Sequence, residues 1–303
     1  MGPERRFRDK LVRDTGLLLR RSFREGLRSP IFSFQFPVVF PILLIALTSQ
    51  SFRQLVLLPG FPIRPFAAYE APAIFLLAAM MGAGYSATAL VVDLQTGFLD
   101  RLRLLPVKPA AILLGRLAFD FLRVLPAGAI FLVVMLAFGA RLDSGLPGAA
   151  ALLALLGFWS VAYNGFFFVL ALKTRNAQAP LALIPIFMPL TFLSPAFLPE
   201  SFLPGWIRGI SAVNPYSHLI EAARSFMTGI PTWGIVGKAL ASTTVVLVAT
   251  QLLAVRSFSG LMGAPGGRGS TGTAAVLRRP GRFLLGAVIV AVLAVGIYLA
   301  LRP

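Results

Sequence analysis

Residues Phe66–Val92 run for the thickness of a bilayer with a single ionisable side chain, Glu70. A hydrocarbon core about 30 Å thick is crossed by roughly 20 apolar residues in helical form. In lipid, backbone amides and carbonyls must bond within the protein, which leaves helices or a closed barrel as spanning structures. Comparable runs follow one another at Ile31–Ser49, Ile112–Phe138, Gly148–Leu172, Leu181–Leu193, Trp233–Val255 and Phe283–Leu301. Pro37 and Pro41 predict kinks in the first of them. The series predicts an all-α integral membrane protein. Charged residues make up 13% of the chain, against about 25% in soluble domains.

The net charge of +17 raises the question of nucleic acid, but phosphate-binding cations need one exposed face. Here the cations gather at the ends of apolar runs, and no nucleic-acid partner is expected. With the N-terminus inside, the inner segments are the N-terminal arm, 93–123, 173–180 and 256–282. They carry nine, five, two and five Lys or Arg, 21 of the 28 in the chain. That bias predicts a cytoplasmic N-terminus and a seventh run that places the C-terminus outside.

The arm 1–29 is too polar for a cleavable signal. Phe7, Leu11, Leu18 or Leu19, Phe23 and Leu27 fall near one helical face, predicting an amphipathic helix in the membrane interface, with a solvated arm as the alternative. Residues 30–255 form the spanning unit. Residues 256–282, rich in Gly, Ser and Thr, predict a flexible tether before an added span at 283–303.

Chemistry has little to work with. The chain has no cysteine and one histidine, His218, with Glu221 three residues on. That excludes thiolate sites and multi-histidine metal sites and leaves no catalytic constellation. "TWGIVGKAL" lacks the first glycine and the Ser/Thr of a phosphate-binding loop. No catalytic, metal or cofactor-binding residue is predicted. Asp120 and Arg123, three apart at the start of the third run, predict an interfacial ion pair one turn into the membrane. Glu221 and Arg224 predict another pair. Glu70 fits a helix N-terminus, which favours an acid.

Between the fifth and sixth runs, "FLSPAFLPESFLPGWIRGISAVNPYSHLIEAARSFMTG" is cut by Pro195, Pro199, Pro204 and Pro215 into pieces too short to cross. With Phe197 and Trp206 on their apolar sides, they predict short re-entrant or interfacial helices at about 195–215. Asn214 before Pro215 predicts a helix start. Inside the membrane, Asn164, Phe167 and Glu221 are candidates for a substrate path, with plain packing as the alternative.

This segment resembles the C-terminal signature of type-2 ABC exporter permeases, closest to those of the daunorubicin-resistance kind. "DLQTGFLDRLRLLPVKPAAILLGR", from Asp93, is similar to the same family's segment between spans two and three. The resemblance covers about residues 5–256. It implies a six-span permease that dimerises, as a homodimer or with a close relative, and pairs with cytoplasmic ATPase subunits that bind the ATP and Mg. The arm is then a connecting helix, and 94–106 a coupling helix that docks on the ATPase through Gln95, Gly97, Phe98, Leu99, Arg101, Leu102, Leu105 and Pro106. On that reading Leu102→Asp uncouples ATP hydrolysis from transport. The expected cargo is a drug or lipid-like amphiphile, or a lipid-linked polysaccharide, across the cytoplasmic membrane of a prokaryote. An ATP-independent transporter or channel and a lipid-modifying enzyme remain alternatives of other classes. The seventh run departs from the family pattern.

Overall fold

The computed structural model describes residues 3–28, 36–104, 107, 109–229 and 232–263. They form helices α1 (Pro3–Arg28), α2 (Phe36–Ser51), α3 (Phe66–Gln95), α4 (Phe98–Arg103) and α5 (Pro109–Ala137). These are followed by α6 (Gly145–Thr174), α7 (Ile184–Phe192), α8 (Gly205–Ser211), α9 (Pro215–Met227) and α10 (Trp233–Gly263). Short 3-10 turns occupy Arg53–Leu57, Leu181–Leu183 and Glu200–Phe202. Among the described residues there is no strand, as the apolar runs require.

Helices α3, α5, α6 and α10 are each long and apolar enough to cross a membrane. Two of the expected spans are shorter. α2 covers 16 residues, about 24 Å at 1.5 Å per residue. Pro41 lies inside it without interrupting it. α7 covers nine residues and follows a 3-10 turn, because Pro180, Pro185 and Pro189 crowd the start and middle of that run. The last helix corrects the expected tether: it continues past Val255 to Gly263. The remainder of the tether and the run 283–303 lie outside the described residues.

α3 and α6 form the centre of the bundle. The Ala-rich sequence of α3 leaves Ala67, Ala71, Ala78 and Ala83 buried and lets neighbouring helices approach closely. Trp159, Phe167 and Phe168 of α6 fill the space this opens. α10 lies along α6, where Thr250 Oγ1 donates to the Ala162 carbonyl (2.9 Å) and Gln251 Nε2 to that of Val161 (2.9 Å). Its other face exposes Val245, Val248 and Leu252, as a lipid-facing helix does.

The two ends of the bundle differ. At one end lie α4, the foot of α3 and the turn after α6, joined by the Gln95 amide donating to the Arg175 carbonyl (3.0 Å). At the other lie the α5–α6 turn and the proline-cut segment, joined by Tyr69 Oη donating to the Pro195 carbonyl (3.0 Å) and the Asp143 amide to that of Met227 (2.9 Å). These are called the α4 end and the α8 end below.

α1 is helical and amphipathic, and part of its surface packs on the bundle. Leu11, Asp14, Leu18, Ser22 and Gly26 turn toward the bundle, whereas Leu27 is largely exposed. Small residues set this face because α1 crosses α5 backbone to backbone. A Cβ on Gly115 would stand 2.9 Å from Leu18 Cβ and 3.3 Å from the Leu19 amide nitrogen. Gly115→Leu is therefore expected to push α1 off α5, at a cost of about 1–3 kcal/mol for overpacking. Faster proteolysis between α1 and α2 in this variant, with the rest of the bundle intact, checks the prediction.

Candidate functional site

α4 begins where α3 stops. Thr96 ends α3, and Gly97 turns the chain with φ +68°, a conformation in which a side chain is strained. The six residues FLDRLR then form little more than one turn of helix. A helix this short holds only through tertiary contacts. Leu99 and Leu102 supply them: both are buried in the chain's own core, against which Phe98 also packs. This corrects the expected docking face. The apolar side of α4 anchors it inward, and Gln95, Thr96, Asp100, Arg101 and Leu104 face out, Leu104 with 86% exposure. Leu105 and Pro106 lie outside the described residues.

A carboxylate behind α4 ties four elements together. Asp93, on the last turn of α3, accepts from Arg21 of α1 at 2.9 Å (Nη1 to Oδ2) and 2.5 Å (Nη2 to Oδ1). It also accepts from Arg116 Nη2 of α5. Arg21 stacks its guanidinium 3.7 Å from the centroid of the Phe98 ring at the start of α4. Glu25, one turn along α1, lies 3.4 Å from Arg21 and 3.9 Å from Arg116. Burial works against the Arg21 charge, but the hydrogen bond and charge of Asp93, with Glu25 added, outweigh it and raise its pKa above the ordinary value. The Asp93 and Arg116 side chains are almost wholly enclosed. Such a pair holds its geometry because removing either partner strands a buried charge. α1, α3, α4 and α5 are therefore joined at this corner through Asp93 and its two arginines. Asp93 opens the motif that drew attention in the sequence, but its role there went unseen. The legible signal was an acid at the foot of an apolar run, which needs a partner.

A second polar cluster lies two turns deeper. Asp120 and Arg123 pair as their spacing predicts (3.1 Å), and both are enclosed by the bundle, at 0% and 3% exposure. Asp120 also accepts from Ser86 Oγ of α3 (2.7 Å) and from the Asn164 amide of α6. The cluster thus ties α3, α5 and α6 inside the bundle.

The three candidate path residues lie in different surroundings. Asn164 is occupied by Asp120, Phe167 is fully buried against Phe187, and Glu221 lies on α9. Nor does Arg224 simply pair with Glu221. It donates to the carbonyls of Tyr69 (2.9 Å) and Ala196 (3.0 Å) and lies over the Tyr69 ring. Glu70 sits in the first turns of α3, fully buried, and accepts from Thr48 of α2 at 2.8 Å.

At the α8 end the proline-cut segment folds into short helical pieces. Pro195 and Phe197 lie in the turn after α7, and Phe197 stacks on Phe192. Pro199 precedes the 3-10 turn and Pro204 precedes α8, where Trp206 is 66% exposed. Asn214 caps α9, with Pro215 at its first position: its Oδ1 accepts from the Tyr216 amide (3.0 Å). Its Nδ2 donates back to the carbonyls of Leu190 (2.9 Å) and Leu193 (3.3 Å), closing the segment onto α7.

Comparisons with known proteins agree with this arrangement. The family model described as ABC-2 type transporter matches residues 13–228, from α1 through the end of α9. A daunorubicin resistance ABC transporter permease protein of Streptomyces coeruleorubidus is 30% identical over 171 residues, 56% of this chain and 60% of that protein. A putative transport permease of Cyanophora paradoxa is 27% identical over 226 residues, 73% of this chain and 76% of its own length. A probable doxorubicin resistance ABC transporter permease protein of Mycobacterium tuberculosis is 28% identical over 160 residues, 53% of this chain and 58% of its own. The chain thus spans somewhat under two thirds of the two resistance permeases it matches. A family match over most of the described helices, on an all-helical multi-pass bundle, places this chain in the ABC-2 type transporter family of membrane permeases.

Proposed function

We propose that this chain is the membrane subunit of an ATP-driven exporter, moving a hydrophobic or amphipathic substrate, with ATP and Mg bound by a separate ATPase subunit. The observation that carries this reading is α4. A very short helix held at its root by the Arg21–Asp93–Arg116 clasp turns Arg101 and Leu104 outward, where a partner would meet them. The α4 end is cytoplasmic on this reading, since the connections there hold most of the Lys and Arg. α2 and α7 complete a set of six membrane segments, and α8 with its flanking turns narrows the opposite exit. Two copies of the chain form the transport unit in a prokaryotic cytoplasmic membrane. The relatives' names support a drug-like cargo.

ATP binding closes the partner subunits, and α4 passes that motion to α3 and α5. This is a linkage in which a ligand on one subunit biases a two-state arrangement of another. The test is co-purification with an ATP-binding cassette ATPase, followed by flux in liposomes. Flux that needs hydrolysable ATP supports the reading, and flux unchanged without nucleotide contradicts it. Within it, Arg101→Glu with Leu104→Asp is expected to leave insertion and thermal stability unchanged and to lower ATP-dependent flux about tenfold. That fold-change corresponds to about 1.4 kcal/mol of lost coupling.

A further inference from the structure

Beside the clasp, α1, α3 and α5 enclose a cavity of about 280 Å³ that the coupling role leaves unused. Its polar wall comprises Ser22, Glu25, Ser86, Thr88, Arg116 and Arg123. Gly26, Tyr85, Ala89, Val92 and Phe119 line the rest, and Val92 is exposed at the bundle's surface. Asp93 and Asp120, the acids that balance the two arginines, stand behind the wall and do not line the cavity. A ligand therefore meets two guanidiniums, the side chains of Ser22, Tyr85, Ser86 and Thr88, and one carboxylate. Glu25 is itself held by Arg21 and Arg116.

Arg123 is incompletely satisfied. Its Nη2 contacts Asp120, but its buried Nε has no acceptor. Buried donors are rarely left so, since each costs about 1–3 kcal/mol. Arg116 and Arg123 stand seven residues apart on α5, about 10 Å along its axis. The cavity thus reaches from the depth of α1 well into the apolar layer. The adjacent helix exposes Arg13, Arg20, Arg24 and Arg28. At a membrane surface, cations of this kind draw anionic lipid with about 1 kcal/mol each.

We propose that this cavity binds the phosphate-bearing headgroup of an anionic lipid from the leaflet on which α1 lies. The phosphate oxygens accept from the guanidinium N–H groups that Arg116 and Arg123 present to the cavity, and the acyl chains leave past Ala89, Val92 and Phe119. The apolar exit favours a lipid over free phosphate, which would have no use for it. The proposal does not depend on the exporter reading, because occupancy is measured without ATP or a partner subunit.

The test uses the purified full chain in nanodiscs of phosphatidylglycerol and phosphatidylcholine, with retained lipid counted by native mass spectrometry after transfer to detergent. Both lipids carry a phosphodiester, but the choline ammonium would face Arg116 and Arg123, so retention of phosphatidylglycerol over phosphatidylcholine by about tenfold is expected. Ala89→Trp, which fills the cavity without touching an ion pair, is expected to abolish that preference while melting like the parent. Should that variant fail to fold, Ser22→Leu serves in its place. Equal retention of the two lipids by the parent, or an unchanged preference in a folded cavity-filling variant, overturns the proposal. An excess of inorganic phosphate is expected to leave the lipid bound. Its displacement would make this a free-phosphate site and overturn the lipid assignment.

Discussion

Asp120→Ala is expected to remove most of the protein from the folded membrane fraction. Asp120 is fully buried, and it is the carboxylate that faces Arg123, itself 3% exposed. Taking it away leaves a guanidinium inside the bundle without a counter-charge, and also frees the Ser86 hydroxyl and the Asn164 amide. Breaking a buried pair from one side costs about 3–5 kcal/mol. Against a total stability of about 5–15 kcal/mol, that is a large fraction. The measurement is the monodisperse peak and melting temperature after detergent extraction. Asp120→Ala combined with Arg123→Leu should recover part of the loss, since a pair replaced by apolar residues no longer strands a charge. A single variant that melts like the parent would show that the cluster is hydrated and holds nothing together.

Asp93→Ala should act differently, on coupling more than on the bundle. Its loss leaves Arg21 and Arg116 facing each other at the root of α4, with Glu25 as the nearest remaining acid. α1 and α4 then separate from the feet of α3 and α5, while the α3–α6–α10 packing stays. ATP-dependent flux is expected to fall more than tenfold, and proteolysis near α1 to quicken. A tenfold fall corresponds to about 1.4 kcal/mol, less than the cost of breaking a buried pair. Asp93→Asn, which keeps an acceptor but loses the charge, should fall between the two. Equal flux in parent and Asp93→Ala would show that the clasp is not on the coupling route.

The apolar runs made the long helices legible, because lipid leaves the backbone no other solution. The caps were legible too: Asn214 followed by Pro215 starts α9 as read. What sequence could not supply was which surface covers which. Leu99 and Leu102 read equally well as a docking face and as an anchor, since an apolar stripe does not say what packs on it. The close crossing of α1 over α5 at Gly115 was not legible, because hydrophobicity does not register a glycine. Arg21 and Asp93 are 72 residues apart, and nothing local announces their pairing. Asp120 and Arg123 were paired correctly by helical spacing, but their depth depends on Ser86 and Asn164 from other helices. α7 came out short because Pro185, Pro189 and a 3-10 turn cut into its run.

The outer face of α4 as the contact with an ATP-binding cassette subunit is most directly tested by cross-linking. The chain has no cysteine of its own, so an introduced one is unique. Leu104→Cys, on the exposed side, should cross-link to the co-expressed ATPase subunit in membranes, and Leu99→Cys, on the buried side, should not. Cross-linking absent at both positions, or equal at both, would contradict the account.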